Sequence, residues 1–142
     1  MTFQNTTLNH NVTFVIDANS YASGDEVNNI RWDDLAAGSE VMNMRDYYRS
    51  LIAMRKANDF ITKGELTCTV VRENAVEAVW TQDGKTVAYA LINPTVNAMD
   101  WPLPEGEWGV LMMNDSIVAE PTETVSGTLK VDSRTVLLVK AK

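Results

Sequence analysis

The hydrophobic pattern of this chain changes its period once, close to residue 58. From Glu40 to Asn58, apolar residues recur at steps of three and four, the spacing of one face of an α-helix. Arg55 and Lys56 fall in the last turn, where the exposed carbonyls of a helix favour cations. The pattern predicts one long helix, and its apolar stripe consists of Val41, Met44, Tyr47, Tyr48, Leu51 and Ile52.

After this helix the apolar residues alternate with polar ones, as in strands that bury one face. Asp83-Gly84 is a strong hairpin signal, and the last two runs are predicted to pair around Asp132-Ser133. The seven alternating runs are 66–71, 75–81, 85–92, 99–101, 108–113, 127–131 and 134–140. No helical pattern separates them, so the fold class is mainly β. We predict an antiparallel β-sandwich of six to eight strands, preceded by an irregular loop and one long α-helix.

The segment before the helix has little regular pattern. Residues 1–18 are polar with one short alternating run, and residues 19–39 are rich in Asn, Asp, Ser and Gly. Structureless loops of this length are usually functional in compact domains. The predicted organisation is therefore a loop and helix over 1–58 and a sandwich over 59–142, together forming one compact unit.

Charge excludes some classes of partner. The 142 residues carry a formal net charge of −7, which argues against nucleic acid and against an anionic membrane surface. The apolar runs are too short to cross a bilayer. The first residues lack the basic and apolar regions of a signal peptide, so the compartment is open between cytoplasm and secretion.

Few residues are candidates for catalysis or metal binding. The single cysteine, Cys68, excludes an internal disulfide and a cysteine-based metal site, and its strand-like setting predicts a buried thiol. The single histidine, His10, has no neighbouring base or nucleophile. An acidic cluster lacks the ligand spacing of a calcium loop; it comprises Asp25, Glu26, Asp33 and Asp34. No spacing nominates a pair of catalytic carboxylates. We therefore predict no catalytic residue, no metal and no cofactor.

The tryptophans are the remaining candidates for ligand contact, because indole rings can stack on sugars. Trp80 and Trp108 are in phase with apolar neighbours in their runs, and Trp108 shares its phase with Val110 and Met112. Both are expected in the core. Trp101 lies between polar and turn-forming neighbours, which leaves an exposed, sugar-stacking position open for it.

Three motifs follow one another around the predicted helix. They are Asn19-Ser20-Tyr21-x-Ser23-x-Asp25-x-x-Asn28, Ile30-x-Trp32 and Tyr47-Tyr48-Arg49-x-Leu51-Ile52-x-x-Arg55-Lys56-Ala57. In this order they resemble the end of the catalytic barrel of type I pullulanases, which are α-glucan debranching hydrolases of the α-amylase superfamily. Two later segments are similar to the C-terminal β-sandwich of that family: Leu103-Pro104-Glu105-Gly106-x-Trp108 and Ser133-Arg134-Thr135-Val136-Leu137.

The resemblance implies that the predicted helix is the last helix of a barrel and that the strands form the appended sandwich. The catalytic carboxylates of the family precede these motifs, so none is assigned here. The chain departs from the family pattern at Arg31, where an acid is common, and at Asn58-Asp59, where a His-Pro pair is usual. The residues nearest the substrate cleft would be Asn19, Tyr21, Asp25 and Asn28, and Trp101 is a further candidate for glucan contact.

Three functions remain open from the sequence. The leading one is a non-catalytic C-terminal module of a pullulanase-like enzyme that supports the barrel. The alternatives are an independent module that binds starch-, glycogen- or pullulan-type α-glucan, and a domain that forms a homodimer through the helix. Without barrel strands over it, the stripe would be an apolar interface; its candidate residues are Val41, Met44, Tyr48, Leu51 and Ile52.

Overall fold

The computed structural model describes residues 2–4, 13–15, 20–22, 24, 40–114 and 116–142. The chain divides into two compact units, Met1–Met42 and Asn43–Lys142. In the first unit, strands β1 (Thr2–Gln4) and β2 (Thr13–Val15) form an antiparallel pair, and a 3-10 turn spans Ser20–Ala22. The division expected at residue 58 stays a prediction.

The predicted long helix is present as α1, Glu40–Ala57. It ends where the side chain of Asn58 turns back and donates to the carbonyl of Met54 at 2.9 Å. The same amide donates to the carbonyl of Ala119 at 2.8 Å, which ties the end of the helix to a distant loop. A second short helix, α2 (Phe60–Lys63), follows directly and was not predicted.

The remaining chain forms two antiparallel sheets. Its strands are β3 (Glu65–Val70), β4 (Val76–Gln82), β5 (Lys85–Asn93), β6 (Met99–Pro102), β7 (Trp108–Met113), β8 (Ser116–Ile117), β9 (Thr124–Val125), β10 (Thr128–Val131) and β11 (Thr135–Ala141). The large sheet has the order β3-β4-β5-β11-β7-β8, with β9 also pairing β7, and the small sheet pairs β10 with β6. The seven strands of at least four residues among these are the predicted ones. The mainly β, antiparallel sandwich-like fold is confirmed.

The large sheet buries both of its faces in separate cores. The first core includes side chains of the small sheet and one face of the large sheet; among its members are Tyr89, Leu91, Met99, Trp101, Trp108, Val131, Leu137 and Val139. The second core joins the opposite face to the helices; its buried members are Met54, Phe60, Ala78, Ala88, Ala90, Leu111, Met112 and Leu138. The small sheet and the helices therefore pack on opposite faces of the large sheet.

The hairpin between β4 and β5 forms as predicted. Asp83 and Gly84 have φ of 51° and 74°, the left-handed conformation that two-residue hairpins require and that Asp-Gly adopts readily.

A register shift in β7 corrects one expected orientation. Opposite β11, Leu138 pairs with Met112 and Val139 pairs with Val110, so Leu111 is an extra residue in its strand. Such a β-bulge inverts the alternation beyond it. Trp108 and Val110 therefore belong to the first core as expected, whereas Met112 belongs to the second core. The expectation that Met112 shares the phase of Trp108 is wrong.

The last two strands do not form the predicted hairpin. β10 pairs with β6 in the small sheet, and β11 pairs with β5 and β7 in the large sheet. The turn at Asp132-Ser133 is thus a connection between sheets. Hydrophobic alternation reports which face of a strand is buried, but it does not report the sheet to which the strand belongs.

Cys68 is exposed, not buried as predicted. It lies in β3, one of the two edge strands of the large sheet, and all six residues of β3 are exposed. An edge strand can keep an alternating sequence without having anything packed on either face.

Candidate functional site

The two sides of α1 have different surroundings. Leu51 is partly buried and, with buried Met54, packs against the second core. Met44, Tyr48 and Ile52 are 59%, 58% and 53% exposed. These three residues are spaced four apart, so they form one strip, which we call the helix face. The expected interface is thus reduced: Leu51 already contacts its own sheet, and the side chain of Val41 lies outside the described residues.

The flank of the helix beside this strip is charged. The carboxylate of Asp46 lies 3.2 Å from the guanidinium nitrogens of both Arg45 and Arg49. These groups are solvent-exposed, so the ion pairs contribute little to stability. They do keep the flank polar, which gives the apolar strip a defined border.

Close packing fixes the end of α1 and the short α2 to the sheet. Phe60 is buried and meets Trp80 edge to face, with ring centroids 5.7 Å apart. On this face of the sheet, Ala78, Ala88 and Ala90 have short side chains that allow the aromatic rings to approach the backbone. The helical part is therefore anchored at its C-terminal end.

Polar contacts also attach the C-terminal end of α1 to the large sheet. Lys140 on β11 donates from Nζ to Oδ1 of Asn58 at 3.0 Å and lies 2.7 Å from the carboxylate of Glu120. Because Asn58 is buried, its amide needs these partners as well as its two carbonyl acceptors. The network holds α1, β11 and the loop after β8 in one arrangement.

Trp101 is buried, with only 8% of its surface exposed. Its indole N–H donates to the hydroxyl of Tyr89, and that hydroxyl donates to Glu77 at 2.5 Å. The guanidinium of Arg72 lies over the Trp101 ring, 5.2 Å from its centroid, and donates to the carbonyl of Asp100. The idea that Trp101 is an exposed platform for sugars is thereby corrected, because its side chain is part of the first core.

Burial raises the pKa of Tyr89 above its ordinary value, and the hydrogen bond to Glu77 adds to this rise. The unfolded chain therefore loses the tyrosine proton at a lower pH than the folded chain. Above about pH 10 the folded state binds more protons, so the free energy of unfolding falls as pH rises.

We expect the Tyr89→Phe variant to lack this part of the alkaline decline, while being less stable than the parent at pH 8 because Glu77 and Trp101 lose their partner. Urea unfolding at pH 8 and pH 11 measures both effects. The exposed Tyr47→Phe is the control, and it should follow the parent. Equal alkaline slopes for the parent and Tyr89→Phe would contradict the assignment.

The loop residues expected at a substrate cleft are mostly outside the described part of the chain. Tyr21 is described, and it is 98% exposed in the 3-10 turn. Asn19, Asp25 and Asn28 lie outside the described residues, as do His10 and the acidic cluster. Within the part that the structure describes, no three acidic, histidine or cysteine side chains converge on a metal-binding arrangement. Likewise, no helix found there has the length and apolar character needed to span a membrane.

The fold matches part of two solved pullulanases. The chain is similar to the pullulanase from Bacillus acidopullulyticus, with a TM-score of 0.69 and 25% identity over 87% of this chain and 16% of that chain. It is also similar to the type I pullulanase from Bacillus subtilis str. 168, solved in complex with maltose, with a TM-score of 0.63 and 19% identity over 84% of this chain and 18% of that chain. The resemblance to type I pullulanases is confirmed.

No protein-family model and no curated protein gives a significant match. The chain spans about a sixth of the length of the solved pullulanases that it matches. In fold, it is similar to a C-terminal-type module of a pullulanase-related glycoside hydrolase.

Proposed function

We propose that this chain is a non-catalytic module of a pullulanase-like α-glucan debranching hydrolase, where it supports the catalytic barrel. The observation that carries the proposal is the helix face. A helix that is anchored on one side by its own sheet, in a fold shared with a small part of pullulanases, leaves Met44, Tyr48 and Ile52 uncovered.

The geometry explains how such a module would act. Leu51, Met54 and Phe60 hold the helix on the sandwich, so the helix face is presented on a rigid support. Burying the exposed parts of its three side chains would contribute about 3 kcal/mol to docking. The sandwich would thereby hold the last helix of a barrel in place.

Four carboxylates among the described residues have side-chain partners within the fold. The hydroxyl of Tyr89 donates a hydrogen bond to Glu77, and Asp46, Asp59 and Glu120 are each in an ion pair with a lysine or arginine. These four carboxylates have structural partners, and the proposal assigns none of them as a general acid or base.

The second candidate function is an independent α-glucan-binding module. The exposed ring of Tyr21 favours it, since an accessible aromatic can stack on a sugar. Isothermal titration calorimetry with maltohexaose and pullulan, with dextran as the control, separates the two functions. A saturable change with the first two alone supports a binding module, and a flat response supports the structural role.

The third alternative is a homodimer through the helix face. It predicts a mass that depends on concentration and no response to sugars.

The proposal is tested by replacement. The segment of the Bacillus acidopullulyticus pullulanase that superposes on this chain is exchanged for this chain, and the deletion of that segment is the negative control. We expect the exchanged enzyme to melt cooperatively and to cleave pullulan, while the isolated chain releases no reducing ends. Hydrolysis of pullulan by the isolated, pure chain would overturn the proposal.

A further inference from the structure

The outer edge of β3 has no strand paired with it in the described part of the chain. Among the described residues, β3 pairs only with β4, and the register of that pair is continuous from Glu65 to Val70. Edge strands usually carry a lysine, a proline or a bulge that prevents pairing with another strand. The sequence of β3, ELTCTV, has none of the three, and its side chains are exposed throughout.

The backbone groups that face outward can be assigned. The N–H of Val71 donates to the carbonyl of Ala75 at 2.8 Å, so Val71 points its backbone groups toward the neighbouring strand. Successive residues of a strand point these groups to alternate sides. The N–H and C=O groups of Leu66, Cys68 and Val70 therefore point away from β4.

We propose that β3 pairs antiparallel with β3 of a second copy of this chain, about a two-fold axis at Cys68. In this register Leu66 lies opposite Val70 of the partner subunit, and Thr67 lies opposite Thr69 of the partner subunit. The strand is self-complementary, because apolar residues meet on one face of the joined sheet and threonines meet on the other.

Hydrogen bonding selects this register. Leu66, Cys68 and Val70 each supply one outward N–H, and two copies together make six N–H···O=C bonds. A shift of two residues leaves one outward residue in each strand unpaired and reduces the number to four. Thr–Thr cross-strand pairs are themselves favourable.

Electrostatics oppose the dimer only weakly at the strand itself. Glu65 is the single charge of β3 and lies at its end. Each copy carries a formal charge of −7, so the two copies repel at long range. Because salt screens this repulsion, the association should strengthen as ionic strength rises.

This proposal is independent of the support function, because β3 and the helix face are different surfaces. Failure of one leaves the other standing. The variants below also separate the β3 edge from the homodimer through the helix.

Sedimentation velocity of the full chain over a concentration series tests the register. Leu66→Lys and Val70→Glu should each weaken association at least about tenfold, since each places a charge opposite an apolar residue of the partner subunit. The double variant keeps the net charge of the parent and places lysine opposite glutamate twice, so association should return to within about threefold of the parent. The helix-face variant Tyr48→Asp should leave the dissociation constant unchanged.

A chain that stays monomeric over the whole series would overturn the proposal. So would single variants that associate like the parent, a double variant that associates no better than the singles, or a dimer that dissociates on Tyr48→Asp.

Amide hydrogen exchange tests the β3 pairing without any substitution. The amides of Leu66, Cys68 and Val70 should become protected as concentration rises, while those of Thr67 and Thr69, already bonded to β4, should not change. Unchanged exchange at all five would contradict β3 pairing.

Discussion

The Phe60→Ala variant is expected to lose about 3–5 kcal/mol of unfolding free energy, the usual cost of removing a buried phenylalanine ring. Phe60 is the fully buried residue of α2 in the second core, and its ring contacts Trp80 edge to face. The flanking alanines of the sheet are too short to fill the space that the ring would leave. Since small domains have a total stability of about 5–15 kcal/mol, this loss is large.

Urea unfolding, followed by tryptophan fluorescence and by circular dichroism, measures the effect. Phe60→Leu is the matched variant and should cost less than about 1.5 kcal/mol, because it keeps most of the apolar volume. Ile52→Ala, on the exposed helix face, should be within about 0.5 kcal/mol of the parent. If Ile52→Ala were as destabilising as Phe60→Ala, the helix face would be packed within the chain and the support proposal would lose its surface.

The Asn93→Ala variant is expected to lose about 2–4 kcal/mol. Asn93 is buried at the end of β5, and its Nδ2 donates to the carbonyls of Asn97 at 2.9 Å and Asp132 at 2.8 Å. Its Oδ1 accepts from the backbone N–H of Thr95 at 3.0 Å and from the Thr95 hydroxyl at 2.8 Å. One side chain therefore connects the large sheet to the crossover between β10 and β11.

The control for Asn93→Ala is Asn97→Ala, because Asn97 contributes its backbone carbonyl and its side chain is exposed. It should change the stability by less than about 0.5 kcal/mol. Asn93→Asp should be at least as harmful as Asn93→Ala, since a carboxylate would face carbonyl oxygens where an amide now donates. Equal stability of the parent and Asn93→Ala in urea would contradict this account of the crossover.

The helix and the strands were predictable because their signals are local. The stripe of α1 was recognised from its apolar spacing and the strands from their alternation, and both kinds of element lie where these patterns predict them. Burial did not follow everywhere, because most of the stripe and all of β3 are exposed. The sheet to which a strand belongs depends on pairing with residues far away in the sequence. The alternating pattern does not report this pairing, and β10 and β11 were therefore expected to form a hairpin. The bulge at Leu111 was hidden for the same reason, because an extra residue appears only when the partner strand is known.

The site was predictable only in part. The apolar strip of α1 followed from its spacing, but the sequence did not indicate that Leu51 would pack on the sheet while Ile52 would not. Trp101 was misleading because its polar neighbours point to the opposite side of a strand and say nothing about its own face. Asn58 and Asn93 were missed as buried anchors. For Asn93 a signal existed: an asparagine directly before a proline at a strand end favours a turn, in which the asparagine side chain accepts from the backbone N–H two residues on.

The central claim, that the helix face docks on a barrel, is tested most directly by pullulan cleavage in the exchanged Bacillus acidopullulyticus enzyme. The variant Met44→Asp/Tyr48→Asp/Ile52→Asp should fold normally as an isolated chain, because these side chains are exposed there. In the exchanged enzyme it should lower pullulan cleavage at least about tenfold and lower the melting temperature, because three charges would be buried. The apolar control Met44→Leu/Tyr48→Phe/Ile52→Leu should retain activity. If the triple aspartate variant cleaved pullulan and melted like the unmodified exchanged enzyme, the helix face would not be the docking surface.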